Sequence, residues 1–259
     1  MADAETWALA LFRRSVLKQQ KLAAVVEMLG PTDGLRCLDL GSDNGVVSLL
    51  LRRHGGRWAS ADLTPEAVAS IRELVRDDVH QIEKDTRLPF ADAEFDRVVV
   101  VDMLEHVADD EVFATELARV TKSRGRLIVN TPHPKNTALR QLRQAIGQTD
   151  EKHGHLRPGY TPESLAALLS PRFTLDRHRT YSRFFSEAVD TAIHWGMERL
   201  GKKSSTKGMV VTGSDLQRHR KAFRAYSLLY PAVWLISRLD GLIPWASGYM
   251  LVAALTRRD

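Results

Sequence analysis

The chain of 259 residues is 44% hydrophobic and 27% charged, which excludes bulk disorder and suffices for one α/β domain with a full core. Its single cysteine, Cys37, excludes an intramolecular disulfide and is expected to be a small buried hydrophobe in a reducing compartment. The net charge of +5 is uneven, because residues 201–259 hold 10 Lys and Arg against 3 Asp.

The basic C-terminal quarter indicates either an anionic partner surface, a membrane or a nucleic acid, or an ordinary solvated basic face. The N-terminal segment MADAETWALALFRR carries acidic residues before its apolar ones and lacks the basic region of a secretory signal. We therefore expect a cytoplasmic protein, either free or bound peripherally to the inner face of a membrane.

The predicted elements begin with a helix over residues 5–29, whose apolar face includes Leu22, Val25, Val26 and Leu29 and which ends at Gly30-Pro31. Strands and helices then alternate. The predicted strands cover residues 36–40, 58–63, 96–102, 125–132, 172–182 and 248–258. The predicted helices cover residues 46–54, 64–78 and 109–122, with a short helix after Thr161-Pro162.

This alternation predicts an α/β fold with a Rossmann-like, doubly wound, mostly parallel seven-stranded sheet, since parallel neighbours need a helical crossover. We assign residues 1–259 to a single domain, with an N-terminal helix in residues 1–30 and a helical insertion or lid in residues 184–246 before the last strand. Ligands of such sheets bind beyond the carboxyl ends of the strands. Residues 39–45, Asp62, Asp102 and residues 130–133 follow apolar runs and are expected at that edge.

The stretch CLDLGSDNG, residues 37–45, is typical of a strand that enters a glycine-containing loop and then a helix, a layout that holds phosphates or nucleosides. Asp62 ends the next strand 23 residues after Asp39, about the spacing at which an acid binds ribose hydroxyls. These two features leave a nicotinamide dinucleotide and S-adenosylmethionine both open as ligands.

Four segments in chain order resemble the successive signatures of class I S-adenosylmethionine-dependent methyltransferases: CLDLGSDNG, SADLTPEAV, LPFADAEFDRVVVVDMLEHV and GRLIVNTP. The chain is most similar to the methyltransferase type 11 group, which contains the quinone-biosynthesis enzymes. The resemblance covers roughly residues 35–180 and the last strand. The ordered run LPF, FD and LEHV is more specific than the glycine loop and is not usual in Rossmann-type dehydrogenases.

The resemblance implies S-adenosyl-L-methionine as the cofactor and suggests which residues bind it. Asp39 would anchor the loop near the cofactor's amino group, and Gly41 and Gly45 would let the backbone approach its methionine portion. Asp62 would bind the ribose, with Leu63 beside it. Asp85 would contact the adenine, although Lys84 competes because Asp85 stands one place closer to Leu88 than is common. Asp102 would lie near the methionine moiety or the acceptor.

Asp43 stands where the family usually has glycine. Asp and Asn tolerate a left-handed backbone better than other non-glycine residues, so Asp43-Asn44 can keep the turn. A carboxylate there would repel a pyrophosphate but suits a ligand with a sulfonium and an ammonium group. A second interpretation, in which Asp43 only caps the following helix, is compatible with the same ligand.

Methyl transfer from an activated sulfonium needs mainly positioning, desolvation and removal of the acceptor's proton. The candidate bases are His133, His155 and His106, with His153 as a further member, and each also has a packing or capping interpretation. A carbon or an acidic oxygen acceptor would need no base. No metal is expected, since the histidines lack the HExxH spacing and any Cys-His pairing.

Residues 184–200 predict a helix with Phe185, Val189, Ile193 and Leu200 on one face, and Ser214 and Gln217 have capping-box spacing before a second helix. The apolar run AYSLLYPAVWLIS contains Pro231 and is too short to span a membrane. The run and its flank combine basic with aromatic and apolar residues: Arg218, Lys221, Arg224, Tyr226, Leu229, Tyr230 and Trp234. This pattern indicates a helix at an anionic membrane interface or a lid over a lipophilic pocket. A helical cap packed on the sheet is an equal alternative and is compatible with either role.

We therefore expect a methyltransferase whose acceptor is small and lipophilic, of quinone, polyketide or lipid type. One alternative is an RNA methyltransferase whose basic insertion binds phosphates. Another is a non-catalytic scaffold that binds the cofactor or a membrane. The lack of an RNA-recognition motif and the aromatic character of the insertion argue against a nucleic-acid partner.

Overall fold

The structure, a computed structural model, describes residues 2–83, 87–135, 137–148, 154–199 and 213–259. Side chains are described throughout these ranges except at residues 2–6, 138, 194, 197–199 and 213–225. Lys84, Asp85 and His153, and the side chains of Ser214, Gln217, Arg218, Lys221 and Arg224, therefore lie outside what is described.

Seven strands form one mixed sheet in the order β3-β2-β1-β4-β5-β7-β6, with β7 antiparallel to both of its neighbours. The strands are β1 (Arg36–Leu40), β2 (Arg57–Asp62), β3 (Val79–Gln81), β4 (Phe95–Val101), β5 (Thr121–Pro132), β6 (Phe173–Tyr181) and β7 (Met250–Arg257). The predicted fold class is confirmed. The strand order reverses between β1 and β4, which places the switch point, where ligands of such sheets bind, at the carboxyl ends of these two strands.

Nine helices are assigned in the described part of the chain: α1 (Ala2–Phe12), α2 (Val16–Leu29), α3 (Val46–Arg53), α4 (Pro65–Val75), α5 (Asp110–Val120), α6 (Ala138–Ala145), α7 (Pro162–Leu169), α8 (Phe184–Arg199) and α9 (Gly213–Arg238). Residues 104–106 and 239–242 form short 3-10 turns. The predicted N-caps of α4 and α7 are confirmed. The side chains of Thr64 and Thr161 each accept a backbone N–H from the first turn, and proline takes the first helical position in both helices.

Helices cover both faces of the sheet, as the uninterrupted apolar run of β4 requires. Val98, Val99, Val100 and Val101 are all buried. On one face the core includes Phe113 and Leu117 of α5 with Leu165 of α7. On the other face it includes Val25 and Leu29 of α2 with Leu51 of α3, and Cys37 is buried among them as expected.

The single N-terminal helix predicted within residues 1–30 is wrong, because two helices, α1 and α2, occupy that segment. Ser15 caps the start of α2 by accepting the N–H of Lys18 at 3.4 Å. The side-chain amide of Gln19 donates to the carbonyls of Phe12 and Arg13 at the end of α1, at 3.5 and 3.1 Å. These bonds satisfy the backbone groups that an unbroken helix would have used, so the chain bends at Ser15.

The helices α8 and α9 lie in the segment predicted as a helical insertion between β6 and β7. Its role as a lid stays a prediction, as does the single-domain assignment. Among the described residues no helix is both long enough and apolar enough to cross a bilayer.

Candidate functional site

Asp39 lies near the end of β1, and its carboxylate is fully buried. It accepts three serine hydroxyls, from Ser42 at 2.5 Å, Ser48 at 2.6 Å and Ser60 at 2.6 Å, and the guanidinium of Arg52 lies 3.5 Å away. These partners belong to the loop after β1, to α3 and to β2. The contacts account for the accepting positions of both carboxylate oxygens, so Asp39 supports the loop from the protein interior.

The loop after β1 passes very close to neighbouring backbone through two glycines with left-handed φ, Gly41 at 81° and Gly45 at 76°. A Cβ on Gly41 would lie 2.4 Å from the carbonyl oxygen of Val101, at the end of β4. A Cβ on Gly45 would lie 2.7 Å from the Cα of Ile71 in α4. Glycine is therefore required at both positions by packing as well as by φ.

Asp43 adopts the left-handed backbone expected of it, with φ of 53°. Its alternative role as the cap of α3 is wrong. Gly45 occupies the N-cap position, and the side chain of Asn44 accepts the N–H of Val46 at 3.3 Å. Asp43 thus keeps the turn that the family usually makes with glycine, and it adds a carboxylate to the loop.

Asp62 ends β2 beside this loop and is almost buried. One carboxylate oxygen accepts the N–H of Asp43 at 3.2 Å, and the other accepts the N–H of Leu63 at 2.7 Å. Asp62 thus attaches residue 43 of the loop to the end of β2 through its side chain. The structure therefore brings Asp62 and Leu63 together with residues 41–45, as predicted.

Asp102, directly after β4, lies at the centre of a polar network on the other side of the switch point. Asn130 donates to its Oδ1 at 2.6 Å, and Tyr181 donates to Asn130 at 2.5 Å. The ammonium of Lys21, on α2, forms an ion pair with its Oδ2. Burial alone would lower the pKa of Lys21, but the Asp102 carboxylate raises it above its ordinary value, so Lys21 is charged at neutral pH. Burial and the nearby Asp102 charge raise the pKa of Tyr181 far above its ordinary value, so its phenol keeps its proton.

A cavity of about 310 Å³ lies beside Asp102, next to the ends of β5 and β6 and the beginning of β7. Five basic side chains line it: Lys18, Lys21, Lys135, Arg140 and Arg143. Four carboxylates also line it: Asp102, Glu105, Glu187 and Asp190. The loop residues 41–45 and Asp62 do not line this cavity, and Asp102 connects the two regions. The site therefore has two parts, a glycine loop with acidic side chains and a separate cavity of mixed charge.

The buried carboxylate of Glu187 organises one wall of the cavity. Lys135 lies 2.9 Å from one of its oxygens, and Arg143 lies 3.8 Å from the other. Because Glu187 lies on α8, the predicted insertion contributes directly to the cavity and fixes two of its basic side chains.

Two of the four histidines proposed as bases, His133 and His155, line the cavity. Nδ1 of His133 lies 3.1 Å from the carbonyl oxygen of Gly248. A carbonyl oxygen only accepts, so Nδ1 carries the proton and Nε2 of a neutral ring keeps its lone pair. This tautomer is the one that a base acting through Nε2 requires.

His106 packs edge-to-face against His155, with ring centroids 4.8 Å apart, and its Nδ1 lies 2.9 Å from the carbonyl oxygen of Gly154. It belongs to the 3-10 turn of residues 104–106, before α5. His106 is therefore in position to orient His155, while His155 is the member of the pair that lines the cavity.

The loop that carries His155 is fastened to the sheet edge by several bonds. Leu156 N donates to the Glu105 carbonyl at 2.8 Å, and Tyr160 N donates to the Pro132 carbonyl at 2.9 Å. Arg157 donates to the carbonyls of Leu104 and Val107 at 2.9 and 2.8 Å. These bonds hold residues 155–160 against the edge of the sheet.

Ligand-type atoms of Glu105, His106 and His155 lie within 4.8 Å of one another. A carboxylate and two imidazoles form a donor set that transition-metal ions accept, and a histidine bound through one nitrogen commonly donates from the other, as His106 does. These residues could hold a metal ion. That the site needs none stays a prediction.

Sequence reasoning missed the contribution of α2 and of the insertion to the site. Lys18 and Lys21 sit three residues apart on a helix, a spacing typical of a solvated face. Glu187 and Asp190 occur in a helix with no motif. Only Glu105 carried a signal, since it belongs to the LEHV run.

Comparison with known proteins supports the sequence resemblance over the first part of the sheet. Residues 38–129 match the family described as "Methyltransferase domain". A demethylmenaquinone methyltransferase of Mycobacterium sp. (strain KMS) is 37% identical over 116 residues, which cover 44% of this chain and 48% of that protein. A ubiquinone biosynthesis O-methyltransferase of Xylella fastidiosa (strain 9a5c) is 30% identical over 112 residues, which cover 39% of this chain and 43% of that protein. The chain thus spans less than half the length of these curated relatives.

Among solved structures, the [4+2]-cyclase SpnF matches over 93% of this chain and 81% of its own, with a TM-score of 0.59 and 16% identity. A likeness at this identity shows the fold alone, and the cyclase illustrates that one fold supports several chemistries. The predicted resemblance to methyltransferases is confirmed over residues 38–129. The activity and the cofactor of the whole chain stay predictions, because the match covers less than half of the relatives.

Proposed function

We propose that this chain, whose residues 38–129 match the methyltransferase domain family, is an S-adenosylmethionine-dependent methyltransferase acting on a small lipophilic acceptor with a polar group. One observation carries the proposal. The glycine loop and Asp62, at the ends of β1 and β2, are joined through Asp102 to a cavity of about 310 Å³, so a nucleoside site and an acceptor site adjoin at the switch point.

The chemistry of the donor set fits a cationic nucleoside. The carboxylates of Asp43 and Asp62 lie at the loop, where they would attract a sulfonium and an ammonium and would repel a pyrophosphate. Asp102 lies across the switch point and is paired with Lys21. Asp62 would accept the ribose hydroxyls, with Leu63 beside it, while the backbone of Gly41 and Gly45 would lie along the methionine portion. Asp39 would act from behind, by holding the loop in this shape.

When bound, the cofactor supplies an electrophilic methyl group, so the protein's contribution is to position the acceptor, exclude water and accept a proton. His133 is the first candidate to accept that proton, because its Nδ1 is engaged by Gly248 and its Nε2 is the basic nitrogen. His155, supported by His106, is the second candidate. Both line the cavity in which the acceptor would sit.

The charged lining refines the predicted acceptor class. A purely hydrocarbon acceptor would remove water from the charged groups of the cavity wall, at a cost in desolvation. An acceptor with an apolar body and an acidic hydroxyl or carboxylate would instead pair with the lysines and arginines. Quinone-, polyketide- and lipid-like molecules with such a group meet this requirement, and the relatives are named as quinone-pathway enzymes. The RNA-binding and scaffold alternatives receive no support from these relatives.

The first test is calorimetric titration of the purified chain with S-adenosylmethionine, with its demethylated product S-adenosylhomocysteine, and with a nicotinamide dinucleotide. We expect micromolar binding of the first two and none of the third. The second test incubates the protein and methyl-labelled cofactor with a cell lipid extract, where label should enter an extractable, acidic, lipophilic product. Binding of the dinucleotide alone would end the proposal. Cofactor binding without labelled product from any extract would favour the scaffold.

A further inference from the structure

The helices of the insertion bury polar side chains and expose apolar ones, the reverse of an ordinary amphipathic helix. On α9, the following 3-10 turn and the loop before β7, eight large apolar side chains are exposed: Leu228, Leu229, Trp234, Leu235, Ile236, Leu239, Leu242 and Trp245. We call this set the outer face. Leu228 is 83% exposed and Trp245 81%, so these are not marginal cases. An exposed apolar surface of this extent marks an interaction site.

The inward side of α9 is held by polar bonds that fix its orientation. The hydroxyl of Tyr226 donates to the Arg14 carbonyl at 2.6 Å. Gln19 donates to the hydroxyl of Tyr230 at 2.8 Å. These bonds attach α9 to the N-terminal helices, and rotation of the helix to bury its leucines would break both of them.

Asp240 anchors the other end of the same segment. Its buried carboxylate accepts the backbone N–H groups of Arg183 and Phe185, each at 2.8 Å, at the start of α8. The next helix shows the same inversion, because Glu187 and Thr191 are buried on α8 whereas Trp195 is 42% exposed. The inverted pattern therefore belongs to the helical pair and is fixed by specific bonds.

Spacing along the chain places four of the exposed leucines in one stripe. Leu228, Leu235, Leu239 and Leu242 follow one another at intervals of seven, four and three residues, which return to the same side of a helix. Trp245 continues the apolar surface beyond the 3-10 turn. A flat or gently curved apolar partner would contact all five at once.

We propose that the outer face docks on an anionic lipid bilayer, with α9 lying in the plane of the interface. Residues 201–246, which include α9, hold 8 Lys and Arg against 2 Asp, and this excess of positive charge complements anionic headgroups. Arg238 lies within the face, with its guanidinium carbon 5.0 Å from the ring centroid of Trp234, and tryptophan beside a cation is typical of the lipid–water interface. A second copy of the chain is a poorer partner, since it would bring the same positive charge to the contact.

This docking does not depend on the proposed function. It indicates the side of the protein from which a lipophilic acceptor would enter. The helix α8 contributes Glu187 and Asp190 to the cavity, and its neighbour α9 carries the outer face. A lipophilic acceptor dissolved in the bilayer would reach the protein at the same helical pair. The sequence placed Tyr226 and Tyr230 on the membrane side, and their hydrogen bonds assign them to the inner side.

The test is co-sedimentation of the full chain with vesicles of phosphatidylcholine and with vesicles of an equimolar mixture of phosphatidylcholine and phosphatidylglycerol. We expect at least about tenfold tighter binding to the mixed vesicles, reduced by added salt. The double variant Leu235→Ser, Leu242→Ser should bind them at least about tenfold more weakly, because it removes two apolar side chains from the contact with the bilayer. The matched control Val112→Ser, Leu142→Ser removes two exposed apolar side chains elsewhere and should bind like the unmodified chain.

Absence of vesicle binding, or equal loss in both double variants, would overturn the proposal. A dimer in light scattering that the Leu235→Ser, Leu242→Ser variant abolishes, without vesicle binding, would assign the face to a second copy. Titration with S-adenosylmethionine on the same samples separates the two proposals. Vesicle binding without cofactor binding would leave the docking intact and end the proposed activity. Cofactor binding without vesicle binding would end the docking proposal and leave the proposed activity intact.

Discussion

Asp62 has two roles at the end of β2, since it holds the loop and faces the proposed ribose site. Asp62→Asn keeps the size of the side chain but replaces one accepting oxygen by an NH2 group, which cannot accept the N–H of Asp43 or Leu63. We expect cofactor affinity to fall by about 10- to 100-fold, the range for one hydrogen bond to a charged group. Calorimetry measures this. The matched change Asp77→Asn, at an exposed residue after α4, should leave the affinity unchanged, and equal effects of the two changes would refute the assignment.

The ion pair of Lys21 and Asp102 links α2 to the switch point. The side chain of Lys21 is 21% exposed and that of Asp102 is 18% exposed, so the pair is only partly shielded from solvent. Removal of one partner leaves the other charge partly buried, and Lys21→Met should lower the free energy of unfolding by about 1–3 kcal/mol. Asp102→Asn made together with Lys21→Met should recover part of this loss. Urea denaturation of the two single variants and the double variant gives the coupling energy.

The pH dependence of this coupling has a definite sign. The folded-state pKa of Lys21 is raised above its ordinary 10.5, so the stabilisation is fully present below 10.5 and is lost as the pH rises through the folded value. The coupling energy should therefore be constant through neutral pH and fall only in strong alkali. A coupling that weakened on moderate alkalinisation, well below 10.5, would contradict the assignment.

Several site residues could be predicted from the sequence, because they follow directly after strands. Asp39, Asp62 and Asp102 are fixed by where β1, β2 and β4 end, and strand ends can be read from apolar runs. The role of Asp39 could not be predicted in full. Its three serine partners lie in different elements, so only the folded chain reveals that its carboxylate faces inward.

At the level of elements, the loop between β1 and α3 is set by how close two backbones approach. Gly41→Ala adds a Cβ that would sit 2.4 Å from the Val101 carbonyl oxygen, so the loop must move. Gly34→Ala is a matched control, because Gly34 also has positive φ, at 75°, but no atom lies within 4 Å of its added Cβ. Gly34→Ala should cost only about 1–2 kcal/mol of stability and leave cofactor binding intact, whereas Gly41→Ala should abolish measurable binding. Equal behaviour of the two variants would show that φ alone, not packing, decides this position.

Elements that carry a strong local signal were predictable, and those that depend on distant partners were not. Strand β3 has three residues, too few for a periodic pattern to stand out. Helix α9 was predicted, but its orientation was not. A sequence pattern identifies an apolar face and normally implies that it is buried, whereas here Tyr226, Tyr230 and Asp240 attach the opposite face to the protein.

For the whole molecule, the site draws on distant parts of the chain. Lys21 comes from the second helix, Asp62 and Asp102 from the sheet, Tyr181 from β6 and Glu187 from the insertion. Opening any of these elements disturbs the site, so a ligand bound there should stabilise the domain as one unit. In the absence of lipid, no ligand on the outer face stabilises the domain in this way.

Thermal unfolding tests whether the ligand stabilises the domain as one cooperative unit. S-adenosylmethionine at about 100 times its dissociation constant should add about 2.7 kcal/mol, which for a chain of this size corresponds to about 5–10 °C in Tm. The shift should be equal when unfolding is followed by far-ultraviolet circular dichroism and by the fluorescence of buried Trp58, obtained by replacing the other tryptophans with phenylalanine. An upward shift with a nicotinamide dinucleotide and none with S-adenosylmethionine would refute the proposed ligand. A shift confined to the fluorescence would show that the sheet and the insertion unfold separately, because a ligand stabilises only the cooperative unit that forms its site.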